Sequence, residues 1–354
     1  MTTTEATERA RLLMELGRHA DARALLVRRI ADDPEDVRAW IRLSRCHASL
    51  GNPEEALAAV EEAVRRAPAD YYAVNVRAHA LRRVGRFDEA ADTAIRAIAI
   101  GPEWWGAYAL LAEVQLYLPE RYSRYEAYQT ALDAVRLGPE EIGAHLTLWK
   151  LATVIGNHEM ADRAERAILR IDPTHPFALS QQTAKAARDA RATDAAGLYA
   201  DALAVAPDSA GLRGGLDDVL YRMLRGTRRL ALLCLAIAAA AVNVVAVFAV
   251  HEGVGLPLPL GARLGLLGAI AAVWALGAGP RYRGLRTGVR LGMRSLVHRA
   301  ARARLMLGQS VWCTGCAVLI AGWPWQEHDV PRLLALGGVV PILLTLPFER
   351  FGRR

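Results

Sequence analysis

The sequence predicts an all-α protein, with a solenoid of about six helix pairs at residues 3–208 followed by a bundle of about four transmembrane helices. Glycine, alanine and proline recur about every 34 residues in the first part, and long apolar runs occupy the last part. The charge balance changes between them, because residues 1–215 carry 27 basic and 31 acidic side chains whereas residues 216–354 carry 17 and 6. The two parts are therefore expected to face different surroundings.

The helix pairs are marked by residues at matching offsets. Turn glycines and closing prolines recur at Gly17, Gly51, Gly85 and Gly156 and at Pro34, Pro68, Pro102, Pro139, Pro173 and Pro207. Each unit predicts two helices that turn at the glycine and end before the proline, which cannot continue a helix. A single pair cannot bury its apolar face, so the pairs are expected to stack. Unit four has an insertion near Pro119 and unit six has Ala190 in place of the glycine, so both are predicted to be less regular.

These units resemble the tetratricopeptide repeat family over roughly residues 3–208. The matching features are the period, the Leu-Gly turn with alanine five residues after the glycine, Phe87 after Gly85, Trp40 followed by Leu43, and the closing prolines. The resemblance implies a right-handed solenoid whose first helices line a concave surface that binds peptides. It also implies a non-catalytic protein that binds one or more protein partners.

The resemblance places a candidate peptide groove on the first helices, and its predicted residues are Arg11, Arg38, Arg45, Tyr72, Asn75, His79 and Arg82. The four arginines are expected to face one cavity. Guanidinium groups form paired hydrogen bonds with carboxylates, so an acidic peptide segment or a carboxyl terminus is the predicted ligand. The alternative is that these arginines form an ordinary solvated surface. Chaperone binding is not implied, because only Asn75 matches the residues that the family uses for it.

Four apolar segments, at residues 230–250, 260–279, 305–323 and 333–348, are candidate membrane spans. The first has 21 residues without a charge, and at 1.5 Å per residue this crosses a hydrocarbon core of about 30 Å. Residues 209–229 are predicted to form a capping helix that links the solenoid to this span. The Trp312-Cys313-Thr314-Gly315-Cys316 stretch resembles a redox motif, but inside an apolar span its cysteines are interpreted as packing residues.

Arginines predict the orientation of these spans. Eight lie between spans two and three, whereas the loops 251–259 and 324–332 hold one arginine and three acids. The positive-inside rule then places the repeats, the basic loop 280–304 and the tail 349–354 in the cytoplasm. The N-terminus lacks the apolar segment of a secretory signal, which agrees with this orientation. Because nearly all basic residues are arginine, we attribute the chain to a GC-rich bacterial genome and expect a multi-pass protein of the bacterial cytoplasmic membrane.

The basic loop contains a second candidate site, formed by Arg283, Arg286, Arg290 and Arg294. The last three lie four residues apart, so on a helix they form one stripe that suits the anionic headgroups of a bilayer. The alternative is a loose basic loop that only sets the topology, because glycines interrupt the segment. Nucleic acid is not an expected partner, since the positive charge stands beside segments of membrane-spanning length.

The phosphate loop GxxxxGK[ST] and the catalytic motifs HExxH and GxSxG do not occur in the sequence, and the nine histidines have no metal-ligand spacing. We therefore predict no cofactor and no enzymatic activity. The favoured function is a membrane-anchored scaffold that binds partner proteins in its concave face. The alternative is a membrane enzyme or carrier whose transmembrane bundle is active and whose repeats regulate or recruit. A homo-oligomer is compatible with either.

Overall fold

The computed structural model describes residues 3–252, 257–327 and 329–351, with side chains at residues 7–244, 257–279, 282–327 and 329–345. All regular secondary structure in these ranges is helical, as predicted. The chain divides into two compact units, of which the first ends at Pro173 and the second begins at Thr174.

The first unit contains five helix pairs. Its ten helices are α1 (Thr3–Glu15), α2 (His19–Asp32), α3 (Val37–Ser49), α4 (Pro53–Arg66), α5 (Tyr71–Val84), α6 (Phe87–Ile100), α7 (Trp105–Gln115), α8 (Arg124–Leu137), α9 (Ile142–Val154) and α10 (His158–Ile171). Each helix packs against the next, and the first helices α1, α3, α5, α7 and α9 also pack against one another in that order. The predicted stacking of helix pairs is thus present in this unit.

The predicted glycines and prolines lie at the ends of these helices. Every second helix ends two residues before its proline, as α2 does at Asp32 before Pro34. The four turn glycines have φ between 71° and 86°, a left-handed conformation that costs a residue with a side chain about 1–2 kcal/mol. In unit four, which lacks this glycine, a longer segment of residues 116–123 joins α7 to α8, and Ser123 begins α8 with a capping box to Glu126.

Small side chains allow the paired helices to approach closely. Ala22, Ala56, Ala90, Ala127 and Ala195 are the first repeated alanines of their units, and all are fully buried. Larger residues such as Leu26, Leu81, Leu110 and Leu151 fill the space between successive pairs. The repeated alanines are therefore contact positions of the stack, as the sequence pattern predicted.

The second unit contains the sixth helix pair and the apolar helices. Its helices are α11 (Pro176–Arg188), α12 (Ala192–Val205), α13 (Ala210–Glu252), α14 (Leu260–Gly277), α15 (Gly279–Arg283), α16 (Thr287–Arg299), α17 (Ala301–Gly322) and α18 (Asp329–Phe351). The linker 209–229 and the first span 230–250, which the sequence analysis treated as separate segments, fall on the single helix α13. Its first half packs against α11 and α12, where the side chain of Tyr199 lies directly over Gly215.

Helices α13, α14, α17 and α18 form a bundle around one apolar cluster. Three stretches of the described chain are long and apolar enough to cross a membrane, namely Ala210–Val244, Leu260–Gly277 and Ala301–Gly322. The fourth predicted span, residues 333–348, lies on α18 and extends beyond the described side chains, so it stays a prediction.

Three of the four cysteines lie in this cluster. Cys313 and Cys316 of α17 are buried together with Cys234 of α13, among residues such as Leu235 and Ile320. Cys234 and Cys313 are 79 residues apart along the chain, and the packing of α13 against α17 brings them together. All three thiols are small apolar side chains in a closely packed environment.

Candidate peptide-binding site

A cavity of about 640 Å³, called the groove below, opens on the side of the first unit formed by α1, α3 and α5. This volume is in the range of small-ligand pockets, about 300–1,000 Å³. The groove is lined by Arg11, Met14, Glu15, His19, Arg38, Ile41, Arg42, Arg45, Ser49, Asp70 and Tyr72. It thus brings together four of the seven residues predicted from the sequence, which are Arg11, Arg38, Arg45 and Tyr72.

Helix α3 supplies the largest share of the lining. Arg38, Arg42 and Arg45 follow one another by four and three residues, so they lie on one face of the helix. The buried side chain of Ile41 lies on the same side. Asp36 holds the start of this helix, because its Oδ1 accepts a hydrogen bond from the Ala39 N–H at 3.0 Å.

Arg42 is held in place by the neighbouring repeat. Its Nη1 donates to the carbonyl oxygen of Thr7 at 2.8 Å, and its Nη2 lies 3.2 Å from Oε1 of Glu8. Arg11 also pairs with Glu8, at 2.8 Å, and with Glu15. The hydrogen bond from Arg11 lowers the pKa of the Glu8 carboxyl below its ordinary value. Both arginines are therefore paired with acids of α1, and they share Glu8.

Arg38 and Arg45 have different surroundings. Both are exposed, and neither has an ion pair within the described part of the chain. Nη1 of Arg45 donates to the hydroxyl of Tyr72 at 2.9 Å, which fixes its position without cancelling its charge. Arg38 forms no hydrogen bond among the described residues. Two guanidinium groups on one face of α3 are thus available to a ligand.

The carboxylates of the groove do not offset this charge. Four arginines line the groove against two acids, Glu15 and Asp70. Glu15 is paired with Arg11, and Oδ1 of Asp70 accepts from the Ala73 N–H at 2.8 Å and so caps α5. The net positive charge of the groove is therefore concentrated on Arg38 and Arg45.

Asn75, His79 and Arg82, the other three predicted residues, lie on α5 outside the groove. Arg82 does not line the cavity that Arg38 and Arg45 line. Its Nη1 is instead 3.6 Å from the carboxylate of Glu113 on α7, which also lies 3.8 Å from Nζ of Lys150 on α9. Glu113, one repeat further along, therefore lies within ion-pair distance of both cations.

His79 and Asn75 are both partly withdrawn from solvent. Burial, together with the nearby charges of Arg82 and Arg83, lowers the pKa of His79 to about 4. His79 is consequently neutral at physiological pH. Oδ1 of Asn75 is buried without a hydrogen-bond partner among the described residues.

Sequence reasoning missed Arg42 as a lining residue. Its signal was present, because residue 42 lies one turn from residue 38 and on the same face as residue 45. His19 and Ser49 were also missed, since they lie near helix ends where the facing direction depends on the turn.

The second candidate site, the basic loop, contains a regular helix. Arg286 at the start of α16 pairs with Asp201 of α12 at 2.5 Å, and Nη2 of Arg290 donates to the carbonyl oxygen of Arg283 at 3.1 Å. Arg283, Arg290 and Arg294 are exposed. The apolar residues Val289 and Leu296 do not face outward; they are buried against α12, α13 and α17.

Comparisons with known proteins agree with the repeat architecture. Residues 7–71 match the family model described as a tetratricopeptide repeat, and this range contains every lining residue of the groove except Tyr72. A chain of the crystallised APC/C hetero-tetramer shares the fold, with a TM-score of 0.50 and 13% identity over 62% of this chain and 43% of that chain.

Two bacterial structures are also similar. A thermophilic repeat protein of Thermus thermophilus has a TM-score of 0.44 and 23% identity, over 52% of this chain and 99% of that chain. The pilF protein of Pseudomonas aeruginosa has a TM-score of 0.46 and 16% identity, over 60% of this chain and 95% of that chain. No curated protein matches the chain.

Proposed function

We propose that this tetratricopeptide repeat protein is a non-catalytic scaffold of the bacterial cytoplasmic membrane that binds an acidic segment of a partner protein in its groove. The observation that carries the proposal is the pair Arg38 and Arg45, two exposed guanidinium groups on one face of α3 without a carboxylate partner in the described chain. A guanidinium binds a carboxylate through two parallel hydrogen bonds, which gives direction as well as affinity.

The rest of the groove fits such a ligand. The hydrogen bond to the Tyr72 hydroxyl fixes the conformation of the Arg45 side chain before a ligand binds, so less side-chain entropy is lost on binding. Arg42 adds positive charge next to both free arginines although Glu8 partly neutralises it. Met14 and Ile41 offer apolar contact beside the charges. An extended peptide with two acidic side chains, or with one acidic side chain and a free carboxyl terminus, matches this arrangement.

The membrane placement is supported by the three long apolar helices and by the arginines around them. With the basic loop in the cytoplasm, the repeats and the groove face the same compartment. Such a protein holds a cytoplasmic partner beside the bilayer and performs no chemistry itself.

The experiment measures binding of fluorescein-labelled octapeptides that end in two glutamates to the full chain in detergent micelles. We expect the double variant Arg38→Ala/Arg45→Ala to weaken binding at least tenfold, and glutamine-ended peptides to bind as weakly to the unaltered protein. Arg82→Ala is the matched control, because its guanidinium faces Glu113 outside the groove. Equal affinities for the double variant and the unaltered protein would exclude the groove as the binding site.

A further inference from the structure

A second cavity, of about 730 Å³, lies in the second unit where the last helix pair meets the apolar helices. It is formed by the start of α12, the middle of α13 and the end of α14. Its lining changes from cationic to apolar along α13, where the basic residues before the first span give way to leucine.

Three arginines form the cationic side of the cavity. Arg222 and Arg229 lie on one face of α13, seven residues apart, and Gly226 between them has no side chain to fill the space. Arg191 comes from the residue before α12, whose first turn has no side-chain cap. A phosphate group placed here would meet three guanidinium groups from two helices.

These arginines lack the partners that neighbouring arginines have. Arg213, Arg286 and Arg299 in the same unit pair with Asp208, Asp201 and Asp217. Arg191, Arg222 and Arg229 are all exposed and form no ion pair among the described residues, and no carboxylate lines the cavity. The cavity therefore carries three guanidinium groups that form no ion pair among the described residues, and no carboxylate in its lining.

The opposite side of the cavity is apolar. Leu230 of α13 and Leu276 of α14 line it, and Leu276 is 79% exposed. The two helices touch at this level, since a Cβ on Gly277 would lie 2.6 Å from Cδ2 of Leu230. Leu230 begins the first predicted span and Leu276 lies near the end of the second. An apolar chain lying along these leucines would continue directly into the hydrocarbon layer.

We propose that this cavity binds an anionic phospholipid, with its phosphate between Arg191, Arg222 and Arg229 and an acyl chain along Leu230 and Leu276. Basic pockets at the cytoplasmic ends of membrane helices are the expected form of such sites. The inference rests on the proposed membrane placement. One of the three arginines belongs to the last helix pair, so the bound lipid joins that pair to α13 and α14.

The test uses the delipidated full chain in detergent micelles and native mass spectrometry. The probes are dioctanoyl phosphatidylglycerol, dioctanoyl phosphatidylcholine and inorganic phosphate. We expect phosphatidylglycerol to bind at least tenfold more tightly than phosphatidylcholine. The variant Arg191→Gln/Arg222→Gln/Arg229→Gln should abolish this preference. The matched control Arg136→Gln/Arg213→Gln/Arg299→Gln removes as many arginines, each paired with an aspartate, and should retain it.

Three results would overturn the proposal: equal binding of the two lipids, a preference that survives in the cavity variant, or displacement of phosphatidylglycerol by phosphate at equal concentration, which would indicate a free-phosphate site. Far-ultraviolet circular dichroism shows whether each variant is folded. If the cavity triple variant is not folded, the single variant Arg222→Gln replaces it, and its preference for phosphatidylglycerol should fall at least threefold.

Extraction of membranes with alkaline carbonate separates the two proposals. A protein that resists extraction but lacks the lipid preference contradicts this site alone, whereas an extractable protein contradicts the membrane placement as well.

Discussion

The imidazole of His79 is a neutral group on α5, the first helix of the third pair. Burial, reinforced by Arg82 and Arg83, lowers its pKa from 6.5 to about 4. The unfolded chain therefore binds a proton between pH 6.5 and pH 4 that the folded chain does not bind. The stability that the neutral form provides is complete above pH 6.5 and is lost as the pH falls towards 4.

We expect acidification from pH 7 to pH 5 to reduce the free energy of opening of α5 by about 2 kcal/mol. Hydrogen exchange of the α5 amides in the full chain, corrected for the intrinsic pH dependence, measures this change. His79→Gln should remove it, because glutamine does not titrate. His158→Gln, at an exposed position of α10, is the control and should retain it. An unchanged pH dependence in His79→Gln would show that another group is responsible.

Arg38, Arg45 and Arg82 show what a sequence reveals of a site and what it does not. Their positions on first helices followed from the repeat period, and two of them line the groove. The direction of Arg82 depends on Glu113, which is 31 residues away and in another repeat. Spacing within one helix predicts which face a residue occupies. The acid that neutralises it is known only once the repeats are stacked.

One tryptophan packs at the contact between α7 and α9. Trp105 begins α7, and its ring lies against Gly138 and Gly143 so closely that a Cβ on Gly143 would be 2.6 Å from the ring atom Cη2. Gly106 holds the equivalent second position of α7, but a Cβ there would meet its nearest neighbour at 3.5 Å, an ordinary contact. The two glycines are equivalent in the repeat and differ only in what packs on them.

We expect Gly143→Ala to destabilise the contact between α7 and α9 by about 2 kcal/mol, because the rigid indole ring must move. Gly106→Ala should be neutral or stabilising by less than about 1 kcal/mol, since alanine favours the helix. Hydrogen exchange of the α9 amides in the full chain measures both. Similar exchange rates in the two variants would contradict the close packing on Trp105.

Helix α16 is held to the second unit by apolar contacts more than by its ion pairs. Val289 is 1% exposed and Leu296 is 2% exposed, within a cluster that includes Leu216 and Leu220. The ion pair of Arg286 with Asp201 is exposed on both sides. Exposed pairs contribute about 0–1 kcal/mol, whereas removing a buried leucine side chain costs about 2–5 kcal/mol.

Leu296→Ala should therefore release α16, with its amides exchanging at least tenfold faster, while Arg286→Ala should change their exchange less than about fivefold. The measurement is hydrogen exchange of the α16 peptides in detergent micelles. Equal effects of the two substitutions would contradict the view that packing holds this helix. The sequence left open whether this segment was a helix at all, because its glycines weaken the propensity and the burial of Val289 and Leu296 depends on distant helices.

At the scale of the whole molecule, the division of charge predicts the sidedness of the apolar helices. The exposed residues Ser295 and Gln326 lie in segments that the positive-inside rule assigns to opposite sides. The native cysteines are all buried, so they give little background to a thiol reagent.

We expect a membrane-impermeant maleimide to label Ser295→Cys in inverted membrane vesicles and Gln326→Cys in intact cells. Each variant is the control for the other. If both cysteines were labelled from the same side, the number of spans between residues 295 and 326 would be even, and the proposed topology would be contradicted.

The repeat pattern predicted the helix pairs and their ends, since proline and glycine act on the local backbone. It did not predict that residues 209–229 and 230–250 form one helix. The change from polar to apolar composition at Leu230 resembles a boundary in sequence, but nothing in it breaks the backbone hydrogen bonds. Contacts between helices that are distant along the chain, such as the one that brings Cys234 close to Cys313, cannot be predicted from local sequence, because they depend on how α13 packs against α17.

The unbroken α13 has a mechanical consequence. Its 43 residues extend for about 65 Å, and about 30 Å of this length precedes Leu230. A rod of that length converts a tilt of about 10° at the bilayer into a sideways movement of about 5 Å at its far end. A change in bilayer thickness that tilts α13 would therefore displace the sixth helix pair sideways by a similar distance.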